Sequence, residues 1–446
     1  MEKEVMTDIL SSALRKIGVE ALNGMQRAAL EHCSCCNSMV LLSPTGTGKT
    51  LAYLLPLLQR LEAASNALQA LIVVPSRELA QQVAGVWRTM ETPYRMAALY
   101  GGRPVTEEAA VLRNVLPAAV VGTPGRLIDH LKQGSLLADA CRVLVIDEFD
   151  KCLEMGFCDE MQQLLELLPG VDSRFLLSAT DCDEIPRFAG ADGAERLDFR
   201  ARDEQPSART AFYTVTTTPE DRLQALFGLL CSLKGEPAIV FCNFRETVEE
   251  VRSYLAKGRL IVSAYHGALE QKERELALYR FSSGCSNILV STDLAARGLD
   301  IKDVRHVIHF QRPMTAEIFT HRNGRTARWD AEGAVYIISY HNHTLPEFVP
   351  EEIKEYRIKG KYPLPPAPDW TALYIGKGKR DKISRGDLAG FFMKKGGLAP
   401  QNVGAILVFD RYAYVAVQYR GIGELLRRLE GEKIKGIKTK IEIVRG

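Results

Sequence analysis

The run Met39-Val40-Leu41-Leu42-Ser43-Pro44-Thr45-Gly46-Thr47-Gly48-Lys49-Thr50 decides how this chain is read. Four apolar residues in succession predict a strand buried on both faces. Beyond the turn, Leu51, Leu54, Leu55 and Leu58 recur at helical spacing, with a kink expected at Pro56. A glycine-rich turn between a strand and a helix, closed by Lys-Thr, is a phosphate-binding loop. Its backbone N–H groups and the positive end of the helix gather phosphate oxygens. Ser43, Pro44, Thr45, Gly46, Thr47 and Gly48 form the cradle. Lys49 is expected to reach the β- and γ-phosphates, and Thr50 to hold Mg²⁺. Ser43 stands where the generic loop begins with glycine.

Outward from this loop, short apolar runs alternate with helical patterns. Leu71–Val74, Ala118–Val121, Val143–Ile146 and Phe175–Leu177 read as further buried parallel strands. After the polar stretch Arg200–Thr210 the alternation restarts with Ala238–Phe241, Leu260–Val262, Ile288–Val290, Val307–Ile308 and Val335–Ile338. The fold class is therefore α/β, two tandem parallel-sheet domains over residues 1–205 and 206–345. A segment with Pro363, Pro365, Pro366 and Pro368 reads as a stiff linker over 346–370. A small module, 371–446, closes the chain.

The 446 residues are 46% hydrophobic and 25% charged, enough for several cores. No apolar run of about 18 residues predicts a membrane helix. The acidic and basic start, without an apolar h-region, argues against a signal peptide and for a cytoplasmic protein. Ten cysteines lack the spacing of a disulfide framework, so reduced thiols are expected. In His32-Cys33-Ser34-Cys35-Cys36 the thiols stand too close together for paired zinc spacing. No second pair lies at finger distance, so no zinc finger is assigned. The net charge of +2 is uneven. Residues 371–446 hold 16 Lys and Arg against 7 Asp and Glu, a net +9, which leaves −7 for the rest. A basic module on an acidic body points to a polyanionic partner.

Asp147-Glu148-Phe149-Asp150 ends a buried strand, where ligands of open α/β sheets bind. Asp147 suits Mg²⁺, and Glu148 suits orientation and deprotonation of an attacking water. Ser178-Ala179-Thr180 ends the next strand. His321 to Arg328 reads either as basic residues on one helix face or as a source of arginine fingers.

The order of these motifs resembles that of the DEAD-box RNA helicases, over residues 8–345. Matching elements are Gln26 with Gly18, the phosphate loop, Pro75–Ala80, Gly101-Gly102, Thr123–Arg126, Asp147–Asp150 and Ser178–Thr180. In the second domain they are Val240–Asn243, His266-Gly267, Gln271 with Arg274, Ser291–Asp293, Arg297–Asp300 and His321–Arg328. The resemblance implies two RecA-like domains and an RNA-dependent ATPase using ATP and Mg²⁺. It also implies that Gln26 reads the adenine edge, Asp300 contacts the ribose, and Arg325 and Arg328 are arginine fingers. Asp147 and Thr50 hold the metal. Asp150, Ser178, Thr180 and His321 couple hydrolysis to the RNA-bound state. Arg77, Gly102, Thr123, Arg126, His266, Arg274 and Thr292 line the RNA path. Contacts to sugar and phosphate position a strand without reading its sequence. Five positions depart from the family: Phe149 replaces the usual Ala, Leu22 a Pro and Ile9 an aromatic residue, while Asn323 and Ala327 vary around the fingers and leave Arg325 and Arg328 in register. Local repacking is expected around Phe149. Adenine selectivity is the property that Leu22 and Ile9 touch.

The last module reads β-α-β-β-α-β, the order of an RNA-recognition fold. Its elements are Leu373–Gly376, Ser384–Lys395, Val403–Phe409, Tyr412–Val417, Ile422–Leu429 and Lys440–Val444. Tyr412 and Tyr414 alternate onto one sheet face, with Tyr374 on the neighbouring strand, and bases could stack there. The module resembles the RNA-binding domain of bacterial DEAD-box proteins that target large-subunit ribosomal RNA. That resemblance implies a role in large-subunit assembly. The expected partner is RNA, with no membrane and the chain acting as a monomer. A non-enzymatic RNA clamp is the alternative, and intact Lys49, Glu148 and Arg325 favour the enzyme. A DNA helicase would need different path motifs.

Overall fold

A computed structural model describes residues 2–33, 36–44, 47–62, 65, 67–102, 104–180, 189–190, 193–200, 210–293, 304–326, 333–341, 344–350, 352–360, 362–418 and 421–444. The chain divides between residues 205 and 206 into two compact units.

The first unit is built on seven strands: β1 (Ser38–Leu42), β2 (Ala70–Val73), β3 (Met96–Leu99), β4 (Ala119–Gly122), β5 (Val143–Ile146), β6 (Ser173–Ser178) and β7 (Glu195–Asp198). They form one parallel sheet in the order β3-β4-β2-β5-β6-β1-β7. The helices are α1 (Glu2–Lys16), α2 (Gly24–His32), α3 (Lys49–Gln59), α4 (Arg77–Thr89), α5 (Val105–Val115), α6 (Pro124–Lys132), α7 (Phe149–Glu154) and α8 (Cys158–Glu166). Successive strand side chains point to opposite faces, and both faces are covered. Met39 and Leu41 join Tyr53 and Leu57 of α3 in one core, whereas Val40 and Leu42 join Leu127, Met161 and Leu164 in another. Phe149 is buried in that second core, so the bulk at this position is absorbed below the sheet. Helix α3 runs through Pro56 without a break. The register sets Leu42 beside Ser178 and Ile146 beside Leu176. The residues following β1, β5 and β6 therefore share one edge of the sheet.

The second unit repeats the plan with β8 (Thr210–Thr217), β9 (Ala238–Phe241), β10 (Val262–Tyr265), β11 (Ile288–Ser291), β12 (His306–His309), β13 (Gly333–Tyr340) and β14 (Lys354–Glu355). Their order is β10-β11-β9-β12-β13-β8-β14, again parallel. Its helices are α9 (Arg222–Ser232), α10 (Arg245–Lys257), α11 (Gln271–Ser282) and α12 (Ala316–Asn323). The strand expected at Leu260–Val262 starts at Val262. Arg259 turns with φ 66°, and Leu260 N–H still bonds back to Leu255 O, so the chain enters the sheet two residues late. The proline-rich residues Leu364 to Pro368 line a small pocket together with Gly235, Arg259–Ile261 and Asn287, and Pro365 and Pro366 come close to Gly235.

The module within this second unit has β15 (Thr371–Ile375), α13 (Arg385–Lys394), β16 (Val403–Val408), β17 (Ala413–Val417), α14 (Ile422–Leu429), a hairpin of β18 (Lys433–Ile434) with β19 (Ile437–Lys438), and β20 (Ile441–Ile443). Its antiparallel sheet runs β16-β17-β15-β20. Ser384 caps α13 in a reciprocal box with Asp387. Leu373, Ile375, Val415 and Val417 point into a core with Leu388, Phe392 and Leu425. The alternate residues Ala372, Tyr374, Tyr414 and Ala416 point the other way, against Tyr279 and Cys285. Among the described residues no helix is long and apolar enough to cross a membrane.

Candidate active site and RNA path

The phosphate loop leaves β1 and enters α3. Thr47 Oγ1 donates to Pro44 O at 2.9 Å and lies 2.7 Å from Ser43 Oγ, so the serine hydroxyl closes the turn from inside. Gly48 has φ 92°, and a β-carbon there would come 2.5 Å from Gln26 Nε2, so both conformation and space require glycine. Thr45 and Gly46 lie outside the described residues.

Lys49 is buried, and its ammonium donates to Ser43 O at 2.7 Å. Burial pushes its pKa down, while Asp147, Asp150 and Glu148 pull it back up. Burial likewise raises Asp147, opposed first by Lys49. A buried cation among buried carboxylates favours polyphosphate and a divalent cation, which rebalance the charge. Glu148 N–H donates to Asp147 Oδ1 at 2.9 Å. Glu148 itself holds φ 51°, a left-handed conformation rare outside glycine, at the start of α7. Strained backbone of this kind is concentrated at functional sites.

Gln26 sits in the first turn of α2, capped by Asn23. Its Oε1 accepts from Asn23 N–H at 3.1 Å, and its Nε2 donates to Gly48 O at 3.2 Å. Asn23 Nδ2 donates to Thr47 O at 2.9 Å. The amide expected to read adenine is therefore tied to the phosphate loop, with one hydrogen and one lone pair left for a base edge. Asn23 is a residue that the sequence reading missed; the Asn-x-x-Gln capping spacing was its signal.

Asp150 joins β5 to β6. Its Oδ2 accepts from the Thr180 hydroxyl at 3.0 Å and from the Ala179 and Thr180 N–H groups at 3.3 Å each. Ser178 Oγ donates to Thr180 O at 2.5 Å. The four residues Asp150 and Ser178 to Thr180 thus form one hydrogen-bonded unit at the sheet edge.

On the same unit, the Arg77 guanidinium lies across Gly101 and Gly102, where β-carbons would fall 2.9 and 3.0 Å from its nitrogens. The glycine pair leaves room for the arginine. Thr123 caps α6, with Pro124 as its first residue. Arg126 Nε is 3.4 Å from Glu108 Oε2, and His130 Nε2 is 2.9 Å from the same oxygen. Glu108 and His130 were not singled out from sequence, since a helical glutamate and histidine give no local sign of burial.

In the second unit, His266 Nε2 lies 3.0 Å from Glu249 Oε1, and Arg274 donates to Gln271 Oε1 at 2.8 Å. Thr292 N–H bonds to Tyr265 O at 3.3 Å. His321 Nε2 is 3.5 Å from Glu317 Oε1. Helix α12 ends at Asn323, so Arg325 follows it in a turn and does not share its face. Arg325 is buried. Arg328 and Asp300 lie outside the described residues. Arg322, fully buried, meets Asp293 at 2.5 Å, Asn243 Oδ1 at 2.8 Å and Gln311 O at 2.9 Å, and stacks its guanidinium over Phe241. It knits three motif segments and the residue Gln311 together, a role not assigned from sequence.

The expectation of an open stacking platform on the module is corrected. Tyr414 is 1% exposed, and its ring stacks on Tyr279 at 5.3 Å. Tyr412 OH donates to Glu275 Oε2 at 3.2 Å, and Tyr279 OH donates to Ala405 O at 2.7 Å. Lys272 Nζ lies 5.0 Å from the ring centres of both Tyr374 and Tyr412. The three tyrosines share one sheet face as expected, but α11 covers it. Burying that much aromatic area is favourable, and Glu275 and Ala405 satisfy the hydroxyls that would otherwise oppose it.

Comparisons with known proteins agree with this arrangement. The DEAD/DEAH box helicase family matches residues 23–186, the helicase conserved C-terminal domain 221–330, and the DbpA RNA binding domain 372–443. The chain is 32% identical over 452 residues to the ATP-dependent RNA helicase DbpA of Escherichia coli, covering 97% of this chain and 96% of that one. It is 35% identical over 338 residues to the ATP-dependent RNA helicase CshA of Listeria monocytogenes, covering 75% of this chain and 64% of that one. Among solved structures, S. cerevisiae Dbp5 bound to RNA and ADP BeF3 shares the fold at a TM-score of 0.69 and 24% identity, covering 78% of this chain and 93% of that one. With its phosphate loop, its acidic strand end and its RNA-binding module in this order, the chain belongs to the DEAD-box ATP-dependent RNA helicases.

Proposed function

We propose that this helicase remodels short duplexes of large-subunit ribosomal RNA during ribosome assembly, in the cytoplasm and as a monomer. The observation that carries the reading is the C-terminal module. It matches a DbpA RNA binding domain over 372–443, carries a net +9, and stands on a relative similar along 97% of the chain. Its sheet face is covered, so RNA would be gripped by the exposed basic residues around its rim, among them Lys379, Lys382 and Arg411.

In this reading ATP is bound by Ser43 to Thr50 with Gln26 on the adenine side and Asp300 on the ribose. Thr50 and Asp147 would hold Mg²⁺, which would neutralise negative charge on the bound phosphates. Glu148 orients and deprotonates the attacking water, and Arg325 and Arg328 stabilise charge developing on the transferred phosphoryl group. Arg77, Gly102, Thr123, Arg126, His266, Arg274 and Thr292 grip the RNA backbone. Asp150, Ser178, Thr180 and His321 link that grip to hydrolysis.

The test is ATPase stimulation by a panel of RNA fragments from the large and small ribosomal subunits and an unrelated RNA of equal length. A large-subunit fragment should stimulate at the lowest concentration. Deleting 371–446 should remove that preference and leave general stimulation. Equal stimulation by all fragments in the full chain would overturn the ribosomal assignment while leaving the helicase intact.

A further inference from the structure

The histidine and cysteines ahead of β1 lack zinc-finger spacing, but the fold brings His32 and Cys36 a third potential ligand that sequence spacing cannot show. His32 closes α2, and its side chain is 5% exposed. Nε2 lies 3.2 Å from Ser38 O. A carbonyl oxygen only accepts, so Nε2 carries the hydrogen, and in the neutral ring Nδ1 offers its lone pair. Nδ1 lies 3.0 Å from Glu195 Oε2, contributed by the first residue of β7, more than 160 positions later in the chain. Cys36 completes the group: the imidazole nitrogen, the Cys36 thiol and the Glu195 carboxylate all lie within 4.8 Å of one another.

We propose that His32 Nδ1, Cys36 Sγ and the Glu195 carboxylate form a site for one zinc-class divalent cation. Ligand atoms about 2.0–2.3 Å from a common ion are separated by distances of this order. Imidazole and thiolate select a borderline-soft metal over Ca²⁺ or Mg²⁺. Glu195 is largely exposed, which leaves one side of the group open to water as a fourth ligand.

Two features organise the site in advance. An N–H···O=C bond on the far ring nitrogen is the usual device that orients a metal-binding histidine. The loop is also held from behind: Arg60 donates to Cys33 O at 2.8 Å and Cys36 O at 2.7 Å, and Cys36 N–H closes on His32 O at 2.9 Å. Cys33 is excluded as a ligand, since its thiol is buried toward Met39 Sδ. The cation would join the end of α2, the lead into β1 and the edge strand β7. Asn23 and Gln26 at the opposite end of α2 hold the phosphate loop, about 12 Å away at 1.5 Å per residue. The role is therefore to brace the helix that carries Gln26, outside the nucleotide chemistry.

The test uses the full chain, stripped with a chelator, free of nucleotide, and titrated with Co²⁺ alone. One equivalent should give a thiolate-to-cobalt absorption band that Zn²⁺ abolishes by displacement. Cys36→Ser should remove the band. His32→Gln, which keeps a donor for Ser38 O, should weaken binding tenfold or more. Zn²⁺ should raise the thermal midpoint of the parent protein and not that of Cys36→Ser, while ATPase activity at saturating RNA stays unchanged in both variants. Absence of a thiolate band overturns the site and leaves a plain His32–Glu195 ion pair. A band of full strength in Cys36→Ser overturns it too, by moving binding to another thiol.

Discussion

The ring of Tyr414, in the C-terminal module, stacks on that of Tyr279, in α11, at 5.3 Å with the planes 28° apart. Helix α11 also carries Arg274, one of the proposed RNA contacts. One helix thus serves the helicase domain with one set of side chains and holds the module with Lys272, Glu275 and Tyr279. These three recur at three- and four-residue spacing, which places them on one face.

That stacking should register as a coupling energy. Tyr279→Ala and Tyr414→Ala each lose buried aromatic area, and the pair should be non-additive by about 0.5–1.5 kcal/mol. A double-mutant cycle on the urea transition of the second unit measures it. Additive losses within about 0.3 kcal/mol would show that the rings do not stabilise each other.

Glu148→Gln keeps shape and removes the proposed base. Turnover should fall by about 10² to 10⁴-fold with nucleotide affinity largely retained. Lys49→Ala should lose turnover and affinity together, because the buried carboxylates around it then face the phosphates uncompensated. Steady-state ATPase combined with titration of a fluorescent ATP analogue separates the two patterns. Hydrolysis at the parent rate in either variant would refute the assigned roles.

Gly48→Ala meets two obstacles, the left-handed φ of 92° and the amide of Gln26. The first alone costs about 1–2 kcal/mol. Nucleotide affinity should drop at least tenfold, and on a Gln26→Ala background, whose own lost adenine contact sets the reference, the further drop caused by Gly48→Ala should shrink only by the part due to crowding. No further drop on that background would show that conformation at Gly48 carries no weight.

The parts of this fold that were legible are those where local chemistry and tertiary environment agree. Val40 and Leu42 against Leu41 and Met39 needed apolar neighbours on both faces, so the buried strand showed in the sequence as an unbroken apolar run. The edge strand β7 did not show. In β7 the run Glu195-Arg196-Leu197-Asp198 pairs with β1 on one side only and needs no apolar run. Missing β7 also hid Glu195 from His32. For Tyr374, Tyr412 and Tyr414 the two-residue period gave the shared face correctly. What covers that face depends on α11, and no local pattern in the module encodes it. Arg322 illustrates the same limit, because a buried guanidinium with three distant partners looks in sequence like any helical arginine.

Acid should loosen the second unit through His309. This ring is fully buried in β12, donates from Nε2 to Asn323 Oδ1 at 2.9 Å, and stacks on Phe319 at 5.3 Å. Burial, reinforced by the nearby Arg322 cation, pushes its pKa down to about 3 from 6.5. Between those values the unfolded chain binds a proton that the folded one refuses, so stability rises with pH across the window and is lost as pH falls from 6.5 toward 3. At pH 5 the contribution of this group is a loss of about 2 kcal/mol relative to neutral pH. His309→Gln retains a donor for Asn323 and cannot take up the proton. It starts from a lower stability because the stacking on Phe319 is gone, so the slope carries the information and the absolute level does not. Urea-dependent hydrogen exchange of the β12 amides at pH 7 and pH 5 gives that slope. The parent protein should lose about 2 kcal/mol more than the variant between the two values. Equal losses would mean that His309 takes up its proton inside the folded domain, with Asn323 or Arg322 moving to admit the charge.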